Sequence, residues 1–432
     1  MASPDPSPAT RSSTATRDPA ALPAWDPAAL PADPLEPLRP HVANPLPVVG
    51  RRWVAGVVGD RPSTYSASPR LWNAAFAALR LPAVYLAFDV PPERLGAFLA
   101  ACRQATGLLG LNVTVPHKGA VVPHLDTLDA DARGAGAVNT VGRTPDGTLW
   151  GANTDVAAAR DIVARLDTRR VLLLGSGGAA RAVLLALATT PRSMTEVIVA
   201  ARRPQEAARM LTGAGHPSAG TGDPRAGTDH PLAAAGHPLI GTGHALAGAG
   251  QPVETRVVAL DDLDGILSQI DLVVNATPVG MAGPVPVAGG VAWLEPFSPL
   301  APADPPPYPG GHDDSVHPTP PGPAPPPAWW AAAWPAVVGD LERALRRTLA
   351  LPAGCTVWDL VYVPEETVLL RHARWAGLRT VPGREMLVGQ AVHAFLRLVA
   401  PVLPVSPEAA RAPVAQAMAA GWAAEPREGG GR

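Results

Sequence analysis

The chain has 432 residues, 47% of them hydrophobic, and a formal net charge of −2 at pH 7. That is enough apolar material for two or three packed cores. It holds no basic excess of the kind that neutralises a nucleic-acid backbone, so a small-molecule ligand is favoured over nucleic acid. Its 53 prolines and 42 glycines exceed ordinary usage, which places part of the length outside any core.

Residues 1–48 are rich in Pro, Ala and Asp and lack the basic start and apolar run of a secretory signal; they read as the disordered tail of a cytoplasmic protein. Cys102 and Cys355 show no metal-ligand spacing and no disulfide framework, which also fits a reducing cytoplasm. The pattern changes at Arg52. Residues 53–59 read as a buried strand, 68–81 as a helix with Ser68 as its cap and Pro69 in its first turn, 83–90 as a strand, 92–103 as a helix and 110–115 as a strand. This βαβαβ alternation predicts a mostly parallel α/β sheet over a first domain, 49–158.

A second series predicts strands at 171–174, 196–200, 255–260, 272–275 and 356–361, with helices from 178 to 188, at 204–211 and at 262–269. A doubly wound dinucleotide-binding domain over 159–380 is the economical reading, followed by a helix in 381–404 that returns to the first domain and a tail over 405–432. Two tracts interrupt it: a degenerate Gly-His-Pro-type repeat over 213–252 and a proline-rich stretch over 284–327. Both read as disordered surface insertions, because closure entropy grows only with the logarithm of loop length. His216, His230, His237 and His244 lie in the first tract, where low-complexity expansion accounts for them, and no metal is expected. No segment is apolar for long enough to span a membrane.

The loop after the strand at 171–174 carries the clearest ligand signal. Gly175 suits a tight turn, Gly177 lets the backbone approach a pyrophosphate, and Ala180 takes the third small position where helix packs on strand; with Gly178 and Ala179 they lead into a helix whose free N–H groups attract phosphate. A ribose 2′-hydroxyl is usually met by an acid at the end of the next strand. Arg202 and Arg203 follow that strand instead, and guanidinium groups suit the extra phosphate of NADP. A solvated basic helix start is the plainer account of those two arginines.

Three polar clusters fall where strands of the first domain end: Ser66-Ala67-Ser68-Pro69, Asn112-Val113-Thr114-Val115-Pro116-His117-Lys118, and Asn139-Thr140 with Asn153-Thr154-Asp155. Together with the glycine loop, Asn275-Ala276-Thr277-Pro278-Val279-Gly280-Met281, Asp359-Leu360-Val361-Tyr362 and Met386-Leu387-Val388-Gly389-Gln390, they occur in one order along the chain. In these motifs the sequence resembles the shikimate dehydrogenase family, over roughly 54–398 apart from the two tracts.

The resemblance implies an N-terminal α/β substrate domain, a Rossmann-type NADP-binding domain, and reversible NADPH-dependent reduction of 3-dehydroshikimate to shikimate by a monomer or homodimer. Lys118 and Asp155 would be catalytic: ketone reduction needs a proton at the developing alkoxide, and a carboxylate beside an ammonium keeps it charged and in place. Alone, Lys118 reads as a surface lysine and Asp155 as a helix cap. The family pattern further implies that Ser66, Ser68 and Tyr362 bind the substrate carboxylate, and that Asn112, Thr114, Asn139 and Gln390 bind its hydroxyls. Asn275, Thr277, Met281 and Met386 would wall the cofactor side.

Some positions depart from the pattern: Tyr65 replaces a histidine, Val363 an asparagine, and Glu385 the glycine expected beside the nicotinamide. A quinate/shikimate dehydrogenase using NAD and a weakly active intermediate sensor are the rival readings. The absence of an acid after the strand at 196–200 opposes the first, and the intact Lys118 and Asp155 oppose the second.

Overall fold

A computed structural model describes residues 27–190, 194–212, 240–241, 245–246, 253–287, 290–301, 304–306, 325–399 and 406–424. Strand β1 (Trp53–Gly59) is buried along its whole length, as a central strand with both faces covered must be. It is followed by α1 (Ser68–Ala78), β2 (Ala83–Asp89), α2 (Leu95–Gln104) and β3 (Leu108–Val113), and β1 pairs in parallel with both β2 and β3. Next come α3 (His117–Ala120), β4 (Thr127–Leu128), α4 (Ala130–Ala135), β5 (Thr140–Arg143), β6 (Leu149–Ala152) and α5 (Thr154–Val163). The sheet order is β2-β1-β3-β5-β6-β4, with β5 antiparallel to both β3 and β6. The mostly parallel expectation therefore holds: β4 pairs in parallel with β6, five of the six strands share one direction, and β5 alone is reversed, forming a hairpin with β6. Thr144-Pro145-Asp146-Gly147 makes its turn: Gly147 takes φ +90°, and the Asp146 carboxylate accepts from Thr148 N at 3.1 Å.

The second sheet begins with β7 (Arg170–Leu174), α6 (Gly178–Thr189), β8 (Glu196–Ala201), α7 (Pro204–Thr212), β9 (Ile240–Gly241), β10 (Ala245–Leu246), β11 (Val253–Ala259) and β12 (Leu272–Asn275). A hairpin of β13 (Pro284–Val287) and β14 (Gly290–Trp293) precedes α8 (Pro327–Leu349), β15 (Thr356–Asp359), α9 (Val368–Trp375), β16 (Arg379–Val381), α10 (Gly383–Leu398) and α11 (Pro407–Ala423). Six strands run parallel in the order β16-β15-β12-β7-β8-β11, the doubly wound arrangement, and β10 and β9 add an antiparallel edge. The helix expected at 262–269 is two 3-10 turns, Leu260–Leu263 and Leu267–Gln269.

The two units share a core. Val156, Ala158 and Ala159 of α5 pack with Ala180, Val183 and Leu184 of α6 and with Met386 of α10. Small side chains permit this: a Cβ added at Gly389 of α10 would lie 3.2 Å from the Ala158 Cβ.

Three expectations of disorder are corrected within the described residues. Leu35 and Leu38, in the stretch expected as tail, are fully buried with Phe88, Phe98 and Leu99; residues 1–26 lie outside the description. Of the proline-rich tract, β13 and β14 pair, and Trp293 and Phe297 pack with Trp329, Ala333 and Val337 of α8. Its average composition hid these aromatic anchors; 307–324, like most of 213–252, lies outside the description. Finally, α11 occupies the expected C-terminal tail. Ser406 accepts from Ala409 N at 3.3 Å as its cap, and Ala410, Val414 and Met418 form its buried face. Ser-Pro-Glu with that apolar spacing was the legible signal.

Asp340 of α8 is 6% exposed; one carboxylate oxygen accepts from Ser298 N at 2.7 Å, while Oδ1 has no hydrogen-bond partner among the described residues. Burial pushes its pKa from the ordinary 3.8 up to about 7. The group's stabilisation is thus complete below about pH 4 and is lost as pH rises through 7. Asparagine mimics the protonated acid. Asp340→Asn is expected to melt like the parent below about pH 4 but to gain about 1 kcal/mol or more at pH 8; equal melting curves at both pH values would refute the assignment.

Candidate active site

The carboxyl ends of β1 and β3, the start of α5 and the loop after β15 converge on one cleft of about 210 Å³. Lys118 and Asp155 meet there: Nζ donates to Oδ2 at 2.7 Å, with side chains 36% and 17% exposed. Neither position is accidental. The Lys118 carbonyl accepts from Val138 N at 2.8 Å, tying α3 to the segment before β5. The α5 cap is Asn153, whose Oδ1 accepts from Val156 N at 3.3 Å while its Nδ2 donates to the Ala137 carbonyl at 2.9 Å. Asp155, two residues on, is therefore released from capping and faces the ammonium, and the helix N-terminus favours its negative charge.

Ser66, Ser68, Asn112, Thr114, Asn139, Tyr362 and Gln390 all line this cleft with Lys118 and Asp155. Their bonds already divide their roles. The Asn112 Oδ1 accepts from Tyr85 Oη at 2.7 Å, and its Nδ2 donates to the Asn139 carbonyl and Thr140 Oγ1, each at 3.3 Å. The Asn139 Oδ1 accepts from Thr154 N at 2.7 Å and from two threonine hydroxyls at 3.1 Å, which leaves its NH₂ as the group to meet a ligand. Ser68 is the first residue of α1 rather than its cap; the preceding Ala67 makes no side-chain cap bond.

Tyr65 and Leu360 are among the lining residues to which the sequence reading gave no role. Tyr65 lies in the cleft wall beside Thr114, and burial pushes its phenol up to about 12, so it is a neutral hydroxyl at physiological pH. Leu360 supplies an apolar wall. Tyr65 was legible as a departure in the serine motif, whereas Leu360 is one apolar residue among many.

On the other side of the cleft, Ala179 and Met386 line the same cavity. Gly175 takes φ +111° where β7 turns into the loop, and an added Cβ would sit 3.0 Å from the Ala276 carbonyl. Nothing lies within 4 Å of a Cβ added at Gly177 or Gly178, and α6 starts without a side-chain cap. The first turn of α6 thus presents open backbone N–H groups, a fit for a dinucleotide's phosphates. Ala180 packs in the core. Arg202 is exposed, and Arg203 pairs with Glu206 at 2.7 Å.

The expected cofactor wall after β12 is built indirectly. Asn275 is fully buried and donates to Asp359 Oδ1 at 2.8 Å and the Val279 carbonyl at 3.1 Å, while its Oδ1 accepts from Thr277 N and Oγ1 at 2.9 and 2.7 Å. It shapes the loop from within. Asp359 also accepts from Thr367 Oγ1 at 2.6 Å and Val361 N at 2.9 Å; burial raises its pKa to about 7 against these donors. Met281 packs beside the Trp293–Phe297 cluster. Glu385 turns outward to Arg165, whose Nη2 donates to its Oε2 at 2.7 Å, and it does not line the cleft.

A family profile described as the shikimate dehydrogenase substrate binding domain matches residues 57–141. A shikimate dehydrogenase (NADP(+)) of Symbiobacterium thermophilum is 34% identical over 348 residues, covering 79% of this chain and 87% of that protein. The chain belongs to the shikimate dehydrogenase family. Among solved members, a shikimate dehydrogenase in complex with NADP+ is 27% identical with a TM-score of 0.54, covering 85% of this chain and 96% of the other. The Thermus thermophilus enzyme, in complex with NADP(H) and shikimate, is 25% identical with a TM-score of 0.52 and coverages of 84% and 99%.

The two readings of the α5 start separate by stability. Asn153→Ala is expected to cost about 1 kcal/mol in urea denaturation as the lost cap, and Asp155→Asn less than about 0.5 kcal/mol as a partly solvated ion pair. The reverse order would mean that Asp155 is the cap.

Proposed function

We propose that the chain is an NADP-dependent shikimate dehydrogenase that reversibly reduces 3-dehydroshikimate to shikimate, in the shikimate pathway to aromatic amino acids. Membership of that family supports the activity, and one observation carries the mechanism: a lysine ammonium held 2.7 Å from a carboxylate inside a cleft lined by hydroxyls and amides. Among the described residues no helix is long and apolar enough to cross a membrane, and we read the enzyme as cytoplasmic.

A nicotinamide dinucleotide held at the glycine loop and the first turn of α6 would supply the hydride for the substrate's carbonyl carbon. Lys118 gives a proton to the carbonyl oxygen as charge develops there, and takes it back in the reverse direction. Asp155 holds the ammonium at that oxygen and offers an acceptor to a neighbouring hydroxyl. Ser66, Ser68 and Tyr362 meet the carboxylate with neutral donors, and Asn112, Thr114, Asn139 and Gln390 surround the ring hydroxyls. A ligand lacking one of those hydroxyls leaves a buried polar group unpaired, which is how such a pocket discriminates.

On the cofactor side, Gly175, Gly177, Gly178, Ala179 and Ala180 form the phosphate loop, and Asn275, Thr277, Met281 and Met386 shape the wall. Exposed Arg202 and Arg203, the latter paired with Glu206, stand at the end of β8 where an acid would otherwise meet a ribose 2′-hydroxyl. That arrangement favours NADP over the NAD-linked quinate reading.

The assay follows reduced-cofactor absorbance with shikimate and NADP. Lys118→Ala is expected to lower kcat by roughly 10²- to 10⁴-fold while the melting temperature stays near that of the parent; near-normal turnover in the folded variant would sink the mechanism. On the cofactor side, Gly177→Val places a side chain in open space. It should leave stability and shikimate affinity unchanged but raise KM for NADP about tenfold or more; an unchanged KM would remove the loop from the phosphate site.

A further inference from the structure

Helix α11 lies outside every motif that carries the functional reading, yet it ends against a residue of the cleft. Val414 and Met418 enter the core formed by Trp72, Phe76 and Phe395. At Gly421 the approach to α1 is so close that an added Cβ would sit 2.7 Å from the Ala74 Cβ and 2.9 Å from the Arg70 carbonyl oxygen. The last turn of α11 is thereby clamped to the helix that begins at Ser68.

The next residue is Trp422. Its ring meets that of Tyr362 edge to face, with centroids 5.9 Å apart and planes at 80°. Arg70 places its guanidinium 5.7 Å from the Trp422 ring centroid and donates from Nη1 to the Ala424 carbonyl at 3.2 Å, a second contact on the tryptophan. Tyr362 comes from the loop after β15 of the second sheet, whereas Trp422 and Arg70 belong to helices packed on the first unit. A tyrosine's hydroxyl swings with two side-chain torsions, so a ring braced by a neighbouring aromatic has a defined hydroxyl position.

We propose that Trp422, backed by Arg70, is a positioning residue for Tyr362: the C-terminal helix sets where the phenol stands in the cleft and so tunes affinity for the substrate's carboxylate without touching it. The inference rests on the reading of Tyr362 as a substrate-binding residue. A tryptophan that only filled the α1–α11 seam would affect melting alone. One that acts through Tyr362 affects substrate affinity, and only while the phenol is present.

The test uses the full chain, with shikimate dissociation constants from calorimetry beside steady-state kinetics. Trp422→Leu is expected to weaken shikimate binding and raise its KM roughly fivefold, with kcat within about twofold and KM for NADP unchanged. Trp422→Phe should recover most of the loss. In a Tyr362→Phe background, Trp422→Leu should change shikimate affinity no further. Should Trp422→Leu fail to fold, Trp422→Met, whose flexible thioether side chain adapts to irregular gaps, carries the same expectation. Wild-type shikimate affinity in a folded variant, or an equal loss in the Tyr362→Phe background, overturns the proposal while leaving the functional reading intact. A parent protein that fails to bind shikimate overturns both.

Discussion

The start of α5 is the constraint on which the rest depends. Its first turn carries Asp155, its cap Asn153 ties it to Ala137, and the buried Asn139 accepts from Thr154 N at 2.7 Å. Val138, between those two anchors, also holds the backbone of Lys118. One short segment thus positions both members of the ion pair, and it does so with buried hydrogen bonds whose loss would leave polar groups unsatisfied. The pair itself is partly solvated and contributes little to stability. Its geometry is maintained by its supports.

The same helix joins the two halves of the site. Beyond its first turn, α5 packs against α6, whose first turn has no side-chain cap, and against α10, which brings Met386 and Gln390 to the cleft. Alanines and glycines at these contacts let the backbones approach closely. A change in the body of α5 would therefore disturb the Lys118–Asp155 pair, the glycine loop before α6 and the α10 lining of the cleft together. The outward turn of Glu385 follows from this packing too: α10 presents Met386 and Gln390 inward, which leaves the intervening face to Arg165.

Polar residues in the motifs divide into those that meet a ligand and those that hold a loop. Asn275 and Asp359 are fully buried and bonded to each other and to backbone. Asn112 does both: it lines the cavity while bonded to Tyr85, Thr140 and the Asn139 carbonyl. Lys118, Ser66, Ser68 and Tyr362 line the cavity itself. Residue type does not distinguish these classes, because an amide serves equally as clamp or as ligand.

By itself the sequence determined the two α/β units, the strands at 53–59 and 272–275 and the glycine loop, because these rest on local periodicity and on turn chemistry that only a few residues satisfy. It also determined which motif residues share a family. Tertiary structure alone decided that Asn153 rather than Asp155 caps α5, that Glu385 leaves the cleft, that the proline-rich tract contains a packed hairpin, and that α11 reaches Tyr362. Each of these depends on contacts between residues far apart in the chain, where burial and the competition for hydrogen-bond partners outweigh local propensity.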